Sequence, residues 1–457
     1  MKKTIHQAAL VVTVLAFIFS FPQFAFAVGS SGVENASYSA RSLGQGNAVV
    51  ARPEGPDSIL FNPASLPDLP GVQIQSNLEG LAVHTRVKLA GTGDIERSDS
   101  PLVLIPTGVM SWNLGETFDN RVGMGFGYTI PFGTKNQYES HSVIGRYQGH
   151  KNFLAVGAYT MALGVKVNEK LNIGGSAILY HVQNYDQFFN YPNNFVLKDA
   201  TQPDGIAETK LRGFGWGWTT GVLFKPVEKH KIGVYYRSKS SIDVHGMVRV
   251  TGLVAGDLQG FKTTPFFETT GYTGVQIPPN ITIGYAYVPS DKWAVEIDGG
   301  WTAWSVFADQ DFAFDDGNAV LKSLGTIPRD YDNTLSLNLG GHYRLNPKFD
   351  LLAGLFFYQA GSPIEHVDAV IPDSHRFAGS LGLTYNITKR LDFSTTYFGM
   401  FFQPRSVGNP EAALRSGLNI DGKYSSFAHG FMTGVTYRFG DQTDGVLKPS
   451  NGHVEPL

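Results

Sequence analysis

Apolar and polar side chains alternate with a period of two over many short segments of this chain. In residues 333–345, Leu335 and Leu337 fall on one face, and Asn338 and Arg344 fall on the other. Successive side chains of a β-strand point to opposite faces, so this alternation predicts strands with one apolar and one polar face.

The spacing of these strands separates a membrane barrel from a soluble sandwich. Very short turns, such as residues 168–170 and 289–292, alternate with long connections, such as residues 132–150, 185–212 and 251–274. Short turns on one rim and long loops on the other are typical of outer-membrane barrels. After residue 27, no apolar run reaches about 18 residues, the length that a membrane-spanning helix needs. If this chain spans a membrane, it must therefore do so as a closed barrel.

We therefore predict an all-β fold, a 14-stranded antiparallel transmembrane barrel over residues 71–439. The predicted strand positions are 71–90, 101–114, 120–131, 152–168, 171–184, 213–225, 231–250, 280–288, 292–306, 333–345, 349–359, 376–387, 391–402 and 427–439.

The two ends of the chain do not follow the strand pattern. Lys2 and Lys3 precede a short apolar run, and a small-x-small site ends at Ala27, so residues 1–27 are predicted to be a secretory signal peptide. Residues 28–70 lack periodicity but contain apolar side chains, which favours a plug, or hatch, folded inside the barrel. Residues 440–457 are polar and are predicted to be a periplasmic tail.

Composition and motifs exclude several classes of function. Charged residues make up 16% of the chain and the net charge is -3, so no basic surface predicts nucleic-acid binding. The chain has no cysteine. Neither a G-x-S-x-G elbow nor an H-E-x-x-H metal motif is present, so we expect no enzyme, no metal and no cofactor.

Five short motifs occur in order along the chain: A-R-S-L-G-Q-G-N-A at 40–48, F-N-P-A at 61–64, Y-R-S-K at 236–239, W-T-A-W-S at 301–305 and I-P-D-S-H-R at 371–376. Together they resemble the FadL family of outer-membrane transporters of long-chain fatty acids and aromatic hydrocarbons. The resemblance spans nearly the whole exported chain. One departure is the extension that follows Phe439, the aromatic end of the last strand.

The resemblance implies a monomer in outer-membrane lipid that takes up long-chain fatty acids or similar hydrophobic molecules by passive diffusion. A hatch, here carrying Asn62, Pro63 and Ala64, closes the barrel, and the ligand leaves sideways through a gap at a kinked third strand. Glycine and proline weaken strand pairing. The wall-kink candidates are Gly123, Gly125, Gly127 and Pro131. An equally open interpretation is that the glycines make room for the plug.

Candidate ligand residues follow from the chemistry of a fatty acid. Arg237 and Lys239, which we place on the lumen-facing side of their strand, and Arg41 in the plug could bind a carboxylate; alternatively they pair with lumenal acids such as Glu296 and Asp298. Aromatic clusters in two long loops could form an apolar capture surface or could only pack the loops together. Their candidate residues are Phe188, Phe189, Phe266 and Phe267.

Other functions stay open at this point. The same fold could carry aromatic hydrocarbons or alkanes, because pocket shape decides the cargo. A general porin or an adhesin is the alternative from another class, although a porin needs an open water channel. A plug of 43 residues (positions 28–70) argues against such a channel.

Overall fold

The computed structural model describes residues 30–99, 102–140, 142–147, 149–191, 204–252, 256–258, 261–263, 266–315, 326–367, 371–410 and 418–439. The predicted signal peptide and C-terminal tail lie outside these residues. Within the described ranges, no helix is long and apolar enough to span a membrane.

Strands dominate the described structure, and the few helices are short. The strands are β1 Val72–Leu89, β2 Ile95–Arg97, β3 Val103–Asn113, β4 Val122–Gln137, β5 Lys151–Asn168, β6 Leu171–Tyr191, β7 Gly205–Val227, β8 His230–Arg237, β9 Ser240–Thr251, β10 Gly256–Leu258, β11 Phe261–Thr263, β12 Phe266–Ile277, β13 Asn280–Ser290, β14 Trp293–Thr302, β15 Asp309–Asp311, β16 Ala313–Phe314, β17 Thr326–Pro328, β18 Thr334–Asn346, β19 Phe349–Tyr358, β20 Arg376–Asn386, β21 Leu391–Phe402, β22 Arg405–Val407 and β23 Gly422–Phe439. The α-helices are α1 Ala40–Gly44 and α2 Ser58–Phe61, and the 3₁₀ helices are Ser30–Gly32, Pro63–Asp68, Gly115–Phe118, Trp304–Val306 and Ile364–His366.

The long strands form one closed antiparallel barrel. Each is paired with its neighbours in chain order, and β23 returns to pair with β1 from Val72↔Phe439 to Leu89↔Gly422. Two wall strands are each made of two segments, β8 with β9 and β12 with β13, because β13 pairs with β8 and β12 pairs with β9. The wall therefore has fourteen strands, which confirms the predicted fold.

The alternation in sequence becomes the two faces of the wall. Leu337 and Leu339 of β18 are about half exposed on the outer face, and Trp216 of β7 is 70% exposed. Glu296 and Asp298 of β14 are buried on the inner face. Lipid contact rather than a packed core therefore covers the apolar set, and the polar set faces the interior.

Two predicted strand boundaries were wrong at one place in the wall. The predicted strand 231–250 is interrupted at Ser238 and Lys239, opposite Pro278 and Pro279 of the next wall strand. Proline has no N–H to donate to a β-ladder, so pairing stops there. The wall strand that was predicted as 280–288 also includes β12, which precedes these prolines in the chain. Most of β12 falls in the segment 251–274, which was predicted to be a loop.

The strands also rise further than predicted at the rim with the long connections. β4 continues to Gln137, β6 to Tyr191, and β7 begins at Gly205, inside segments that were predicted as loops. In these extensions the backbone N–H and C=O groups are still hydrogen-bonded to neighbouring strands, as between β6 and β7. The short predicted turns at the other rim are present, as between β5 and β6.

The N-terminal residues 30–70, called the inner segment below, pack against the inward side chains of the wall. Helix α1 contacts β19, β20, β21 and β23, and the 3₁₀ helix Pro63–Asp68 contacts β3 to β7. Leu43, Ile59 and Leu66 are fully buried there. One part of the core thus lies between the inner segment and the wall, and another buried apolar cluster, which includes Val248, Phe267 and Trp304, contains Val33 as its only inner-segment residue among those described.

Candidate functional site

Two buried carboxylates of β14 hold the middle of the inner segment. Asp298 Oδ2 accepts hydrogen bonds from the backbone N–H groups of Val49 (2.9 Å) and Val50 (3.1 Å), and Glu296 Oε1 accepts one from Ala51 (2.5 Å). The predicted pairing of these acids with Arg237 or Lys239 was wrong. The carboxylates instead satisfy backbone donors that would otherwise be buried without partners.

The motif Asn62-Pro63-Ala64 anchors the next part of the inner segment. Asn62 Nδ2 donates to the carbonyl oxygens of Val50 (2.8 Å) and Val222 (3.1 Å), and its Oδ1 accepts from the Ala64 N–H (3.1 Å). One side chain therefore joins the inner segment to β7 and caps the 3₁₀ helix that Pro63 begins.

The glycines of the third wall strand leave room for the inner segment. A Cβ at Gly123 would lie 2.5 Å from the Leu66 carbonyl, and a Cβ at Gly125 or Gly127 would lie 2.3 or 2.6 Å from Ile59. The geometry therefore supports the space-making interpretation for all three glycines, since a larger side chain would collide with the inner segment.

The irregularity of this strand lies a few residues further on, at Pro131. Pairing of β4 with β5 shifts register between Thr129 and Phe132. Pairing of β4 with β3 ends at Gly108↔Tyr128, and within the described residues the remaining part of β3 is paired only with β1. The backbone ladder between the two strands thus ends at Tyr128, although the hydroxyl groups of Thr107 and Thr129 still lie within hydrogen-bond distance at 3.2 Å. This interruption of the ladder is called the β3–β4 gap below.

The inner segment supplies a short strand beside the β3–β4 gap. Asn35 N donates to the Pro131 carbonyl (2.7 Å), and Gly133 N donates to the Val33 carbonyl (2.7 Å). These bonds flank a bridge between Glu34 and Phe132. Residues 33–35, called the inner strand below, therefore take the pairing edge of β4 that β3 has left.

Arg237 faces the interior and joins the wall to the inner strand. Its Nη1 lies 2.8 Å from Glu34 Oε1, and its Nε and Nη2 each lie 3.3 Å from the Pro278 carbonyl. Its guanidinium also lies 4.9 Å from the ring centre of Phe132. The predicted lumen-facing position of Arg237 is therefore correct, although its acidic partner was not anticipated.

The other two candidate cations lie elsewhere. The predicted lumen-facing position of Lys239 was wrong, because the residue is exposed in the break between β8 and β9. Arg41 bonds to Glu54 (2.7 Å) and Asp350 (3.0 Å) in a polar cavity near the short turns. The structure therefore does not bring Arg41 or Lys239 together with Arg237.

Charge also governs the ionisation of Glu54 in the inner segment. Burial alone would raise the pKa of Glu54, but the nearby charges of Arg52 and Arg41 outweigh it and hold that pKa well below its usual range. Glu54 therefore stays ionised and ties two arginines of the inner segment together.

An apolar cavity of about 670 Å³, including its open mouth, lies toward the rim with the long connections. We call it the upper cavity. Its wall includes Val33, Phe132, Leu154, Trp304 and Phe307. Its polar residues include Arg329, whose Nη2 donates to Gln310 Oε1 at 3.2 Å. Ligand cavities of roughly 300–1,000 Å³ with mostly apolar walls and few polar groups are typical of small-molecule sites.

Two further cavities lie on the other side of the inner strand. Their volumes are about 670 Å³ and 340 Å³, and both are lined by Tyr38, Leu60, Tyr235 and Arg237. We call them the lower cavities. The smaller one reaches Pro131, beside the β3–β4 gap. Val33, Phe132 and Arg237 therefore stand between the upper and the lower cavities.

The predicted loop aromatics lie in strands rather than in loops. Phe188 is on the outer face of β6, where Lys151 and Lys210 approach its ring at 5.2 and 5.6 Å. Phe266 is exposed on β12, and its neighbour Phe267 is buried. Phe189 belongs to β6. Of the three side chains that the structure describes in this set, only Phe267 lies in the interior.

Sequence reasoning missed Glu34, Phe132 and Trp304 as site residues. Glu34 and Phe132 lie almost a hundred positions apart, and no periodic pattern connects them. Trp304 was noted only as part of a motif, although its side chain is 1% exposed and lines the upper cavity.

A closed fourteen-stranded wall, an inner segment packed within it and an apolar internal cavity define the class of outer-membrane channels for small hydrophobic compounds. Residues 23–439 match the model of the family described as "Outer membrane protein transport protein (OMPP1/FadL/TodX)". The chain belongs to this family, which consists of transport proteins, and it is therefore a protein of the Gram-negative outer membrane.

Individual relatives agree with this family. Outer membrane protein P1 of Haemophilus influenzae is 25% identical over 349 residues, covering 70% of this chain and 72% of that protein. The long-chain fatty acid transport protein of Escherichia coli O6:H1 is 25% identical over 239 residues, covering 50% and 52%.

Solved structures share the fold. A Pseudomonas aeruginosa FadL homologue superimposes with a TM-score of 0.77 at 19% identity, covering 91% of this chain and 100% of that one. The Pseudomonas putida toluene transporter TodX gives a TM-score of 0.69 at 18% identity, covering 89% and 99%.

Proposed function

We propose that this protein takes up long-chain fatty acids or similar hydrophobic molecules by passive diffusion, with the inner segment acting as a hatch. A ligand enters the upper cavity, passes the inner strand into the lower cavities and leaves sideways through the β3–β4 gap. We expect the protein to work as a monomer in outer-membrane lipid, and its closed barrel leaves no strand edge through which a second chain could pair.

One observation carries this proposal. The inner strand pairs with the edge of β4 that β3 no longer covers, through backbone hydrogen bonds to Pro131 and Gly133. The closure consists of two backbone hydrogen bonds and the Arg237–Glu34 ion pair, so it can be released without breaking the wall itself, in which β3 and β4 stay paired from Gly108↔Tyr128 to Asn113↔Gly123. Its release would connect a lower cavity with the gap.

The apolar upper cavity supports a ligand with a hydrocarbon chain. Each CH₂ group that leaves water gains roughly 0.8 kcal/mol, so a long chain is captured strongly by an apolar wall. A sideways exit keeps that chain out of the aqueous periplasm. Arg237 beyond the inner strand offers a cation to a carboxylate head group. The relative in Escherichia coli that is named for fatty-acid transport favours the same cargo.

Aromatic hydrocarbons are the second candidate cargo. The Pseudomonas putida neighbour is named as a toluene transporter, and the upper cavity of this chain contains Phe132, Trp304 and Phe307. Aromatic rings pack favourably on one another at centroid distances of roughly 4.5–7 Å. Aromatic hydrocarbons carry no charge and need no counter-ion, so Arg237 would be unimportant for their binding.

Binding to the purified, detergent-folded protein tests the cargo. We would measure saturable binding of a long-chain fatty acid with toluene as competitor, using an unrelated barrel in the same detergent as control because micelles dissolve both ligands. Fatty-acid binding that toluene fails to displace supports the fatty-acid proposal. Tight toluene binding with weak fatty-acid binding moves the proposal to hydrocarbon uptake.

A conductance measurement tests the hatch against a general porin. Planar bilayers containing the intact protein should carry little ion current, and deletion of residues 28–70 should raise it. Large steady currents through the intact protein would favour a porin, and a deletion that changes neither current nor uptake would contradict the hatch. An adhesin would instead lose attachment, and not uptake, when its long connections are deleted.

A further inference from the structure

We propose that the Arg237–Glu34 ion pair is an exchangeable lock, in which the carboxylate of an anionic ligand replaces Glu34 on Arg237 and so frees the inner strand from β4. This inference rests on the proposed function, because it names the ligand charge that opens the same route. It makes Arg237 a residue that selects carboxylates over neutral molecules of equal length.

The position of Arg237 suits it to this role. Its Nη1 lies 2.8 Å from Glu34, and its guanidinium lies 4.9 Å from the ring of Phe132. Glu34 and Phe132 are the two residues of the bridge between the inner strand and β4. One wall side chain therefore contacts both sides of the closure.

Burial makes the ion pair hard to break without a substitute. The side chains of Arg237 and Glu34 are only 7% and 12% exposed. Separating a buried pair leaves each charge without compensation, and this is strongly unfavourable. An incoming carboxylate removes that penalty for Arg237, since it supplies the same charge and the same acceptor geometry. Glu34 itself lines the larger lower cavity together with polar residues such as Asn47 and Ser336, so its carboxylate has polar surroundings when it is released.

The cavities place a ligand within reach of the lock. Val33 and Phe132 line the upper cavity, and Arg237 lines both lower cavities. An apolar chain in the upper cavity thus ends against a partition with a cation directly behind it. A neutral alcohol of the same length gains the same burial in the upper cavity but offers Arg237 no replacement for Glu34.

A single cysteine can report on the lock, because the natural chain has none. Ala36 follows the inner strand and lines the larger lower cavity. We would introduce Ala36→Cys into the full chain in detergent and measure its labelling rate by a small water-soluble thiol reagent. Dodecanoate and dodecanol serve as the two probes, at a pH well above the pKa of the acid. Their saturable binding is measured in the same samples.

We expect both probes to bind and dodecanoate alone to raise the labelling rate, by about tenfold or more, because only the acid compensates the buried cation. In an additional Glu34→Gln variant, labelling should be fast without any probe. An Arg237→Gln variant should lose the effect of dodecanoate, whereas Arg344→Gln, which removes a half-exposed arginine near the short turns, should keep it.

The outcomes separate the two proposals. If neither probe binds saturably, the proposed function fails together with the lock. If both probes bind but raise labelling equally, or if dodecanoate still acts in Arg237→Gln, the ion pair is only structural and the lock alone is refuted. The comparison of the two probes needs no change at Arg237, so it decides the question even when that variant does not fold.

Discussion

A disulfide between positions 34 and 132 is expected to hold the hatch shut. The bonds from Asn35 N to the Pro131 carbonyl and from Gly133 N to the Val33 carbonyl flank this pair, so Glu34 and Phe132 form a non-hydrogen-bonded antiparallel pair. Such pairs have Cα atoms roughly 4.5 Å apart, at the short end of the roughly 4.4–6.8 Å that a disulfide spans. Since the chain has no cysteine, Glu34→Cys with Phe132→Cys creates one defined cross-link.

The strength of the closure sets the size of the effect. Once Glu34 and its ion pair with Arg237 are removed, as in the double variant, two neutral backbone hydrogen bonds remain, both 2.7 Å long; at about 1 kcal/mol each they correspond to an open fraction of roughly 3%. The reduced double variant lacks Glu34 and should therefore transport at least as fast as the natural chain. The oxidised variant has no open fraction, so its saturable uptake should fall to the level of cells without the protein.

The assay is uptake of a labelled long-chain fatty acid by cells that produce each variant, with and without reductant. The single variants Glu34→Cys and Phe132→Cys should not respond to oxidation. Thiol titration of the denatured protein must show that the cross-link is complete. A fully cross-linked variant that transports as fast as its reduced form would refute the route past the inner strand.

Three further predictions concern the attachment of the inner segment. Asp298→Ala removes a carboxylate that accepts two backbone hydrogen bonds, so it should weaken attachment of the inner segment by about 3 kcal/mol and raise ion conductance in planar bilayers. Asp243→Ala is its control: Asp243 is exposed, and its loss should leave the conductance unchanged. Gly340→Ala places a Cβ 1.8 Å from an inner-segment carbonyl oxygen and should destabilise the protein by about 1–3 kcal/mol in urea unfolding. Gly299→Ala is its control, because nothing lies within 4 Å of that Cβ, and an equal loss in both would contradict the packing argument. Because the pKa of Glu54 is depressed in the folded protein, its ionised form stabilises the attached inner segment at pH values above the ordinary glutamate pKa of about 4.3, and this stabilisation is lost as the pH falls below that value. Ion conductance should therefore rise as the pH is lowered, and it should depend less on pH in Glu54→Gln.

The wall of this protein was predictable from sequence because its determinants are local. Residues 334–339 alternate between polar and apolar side chains at every position, and their faces are those found in β18. Turn lengths gave the two rims, and counting periodic segments gave fourteen strands. The boundaries were less predictable at the long connections: Phe188 and Phe266 belong to strands, because pairing with neighbours extends β6 and β12 past the end of the apolar pattern.

The interior was decided by tertiary structure alone. Arg237 could be placed on the inner face from the phase of its strand, but its partner Glu34 lies 203 positions away and carries no sequence signal. Asp298 holds backbone N–H groups of the inner segment, which no side-chain pattern encodes. Sequence thus determined which side chains face inward along an unbroken strand, since alternation is a property of one strand, and it misplaced Lys239 where the strand is interrupted. Which of them meet depended on how the inner segment fills the closed barrel, because those contacts join residues that only the fold brings together.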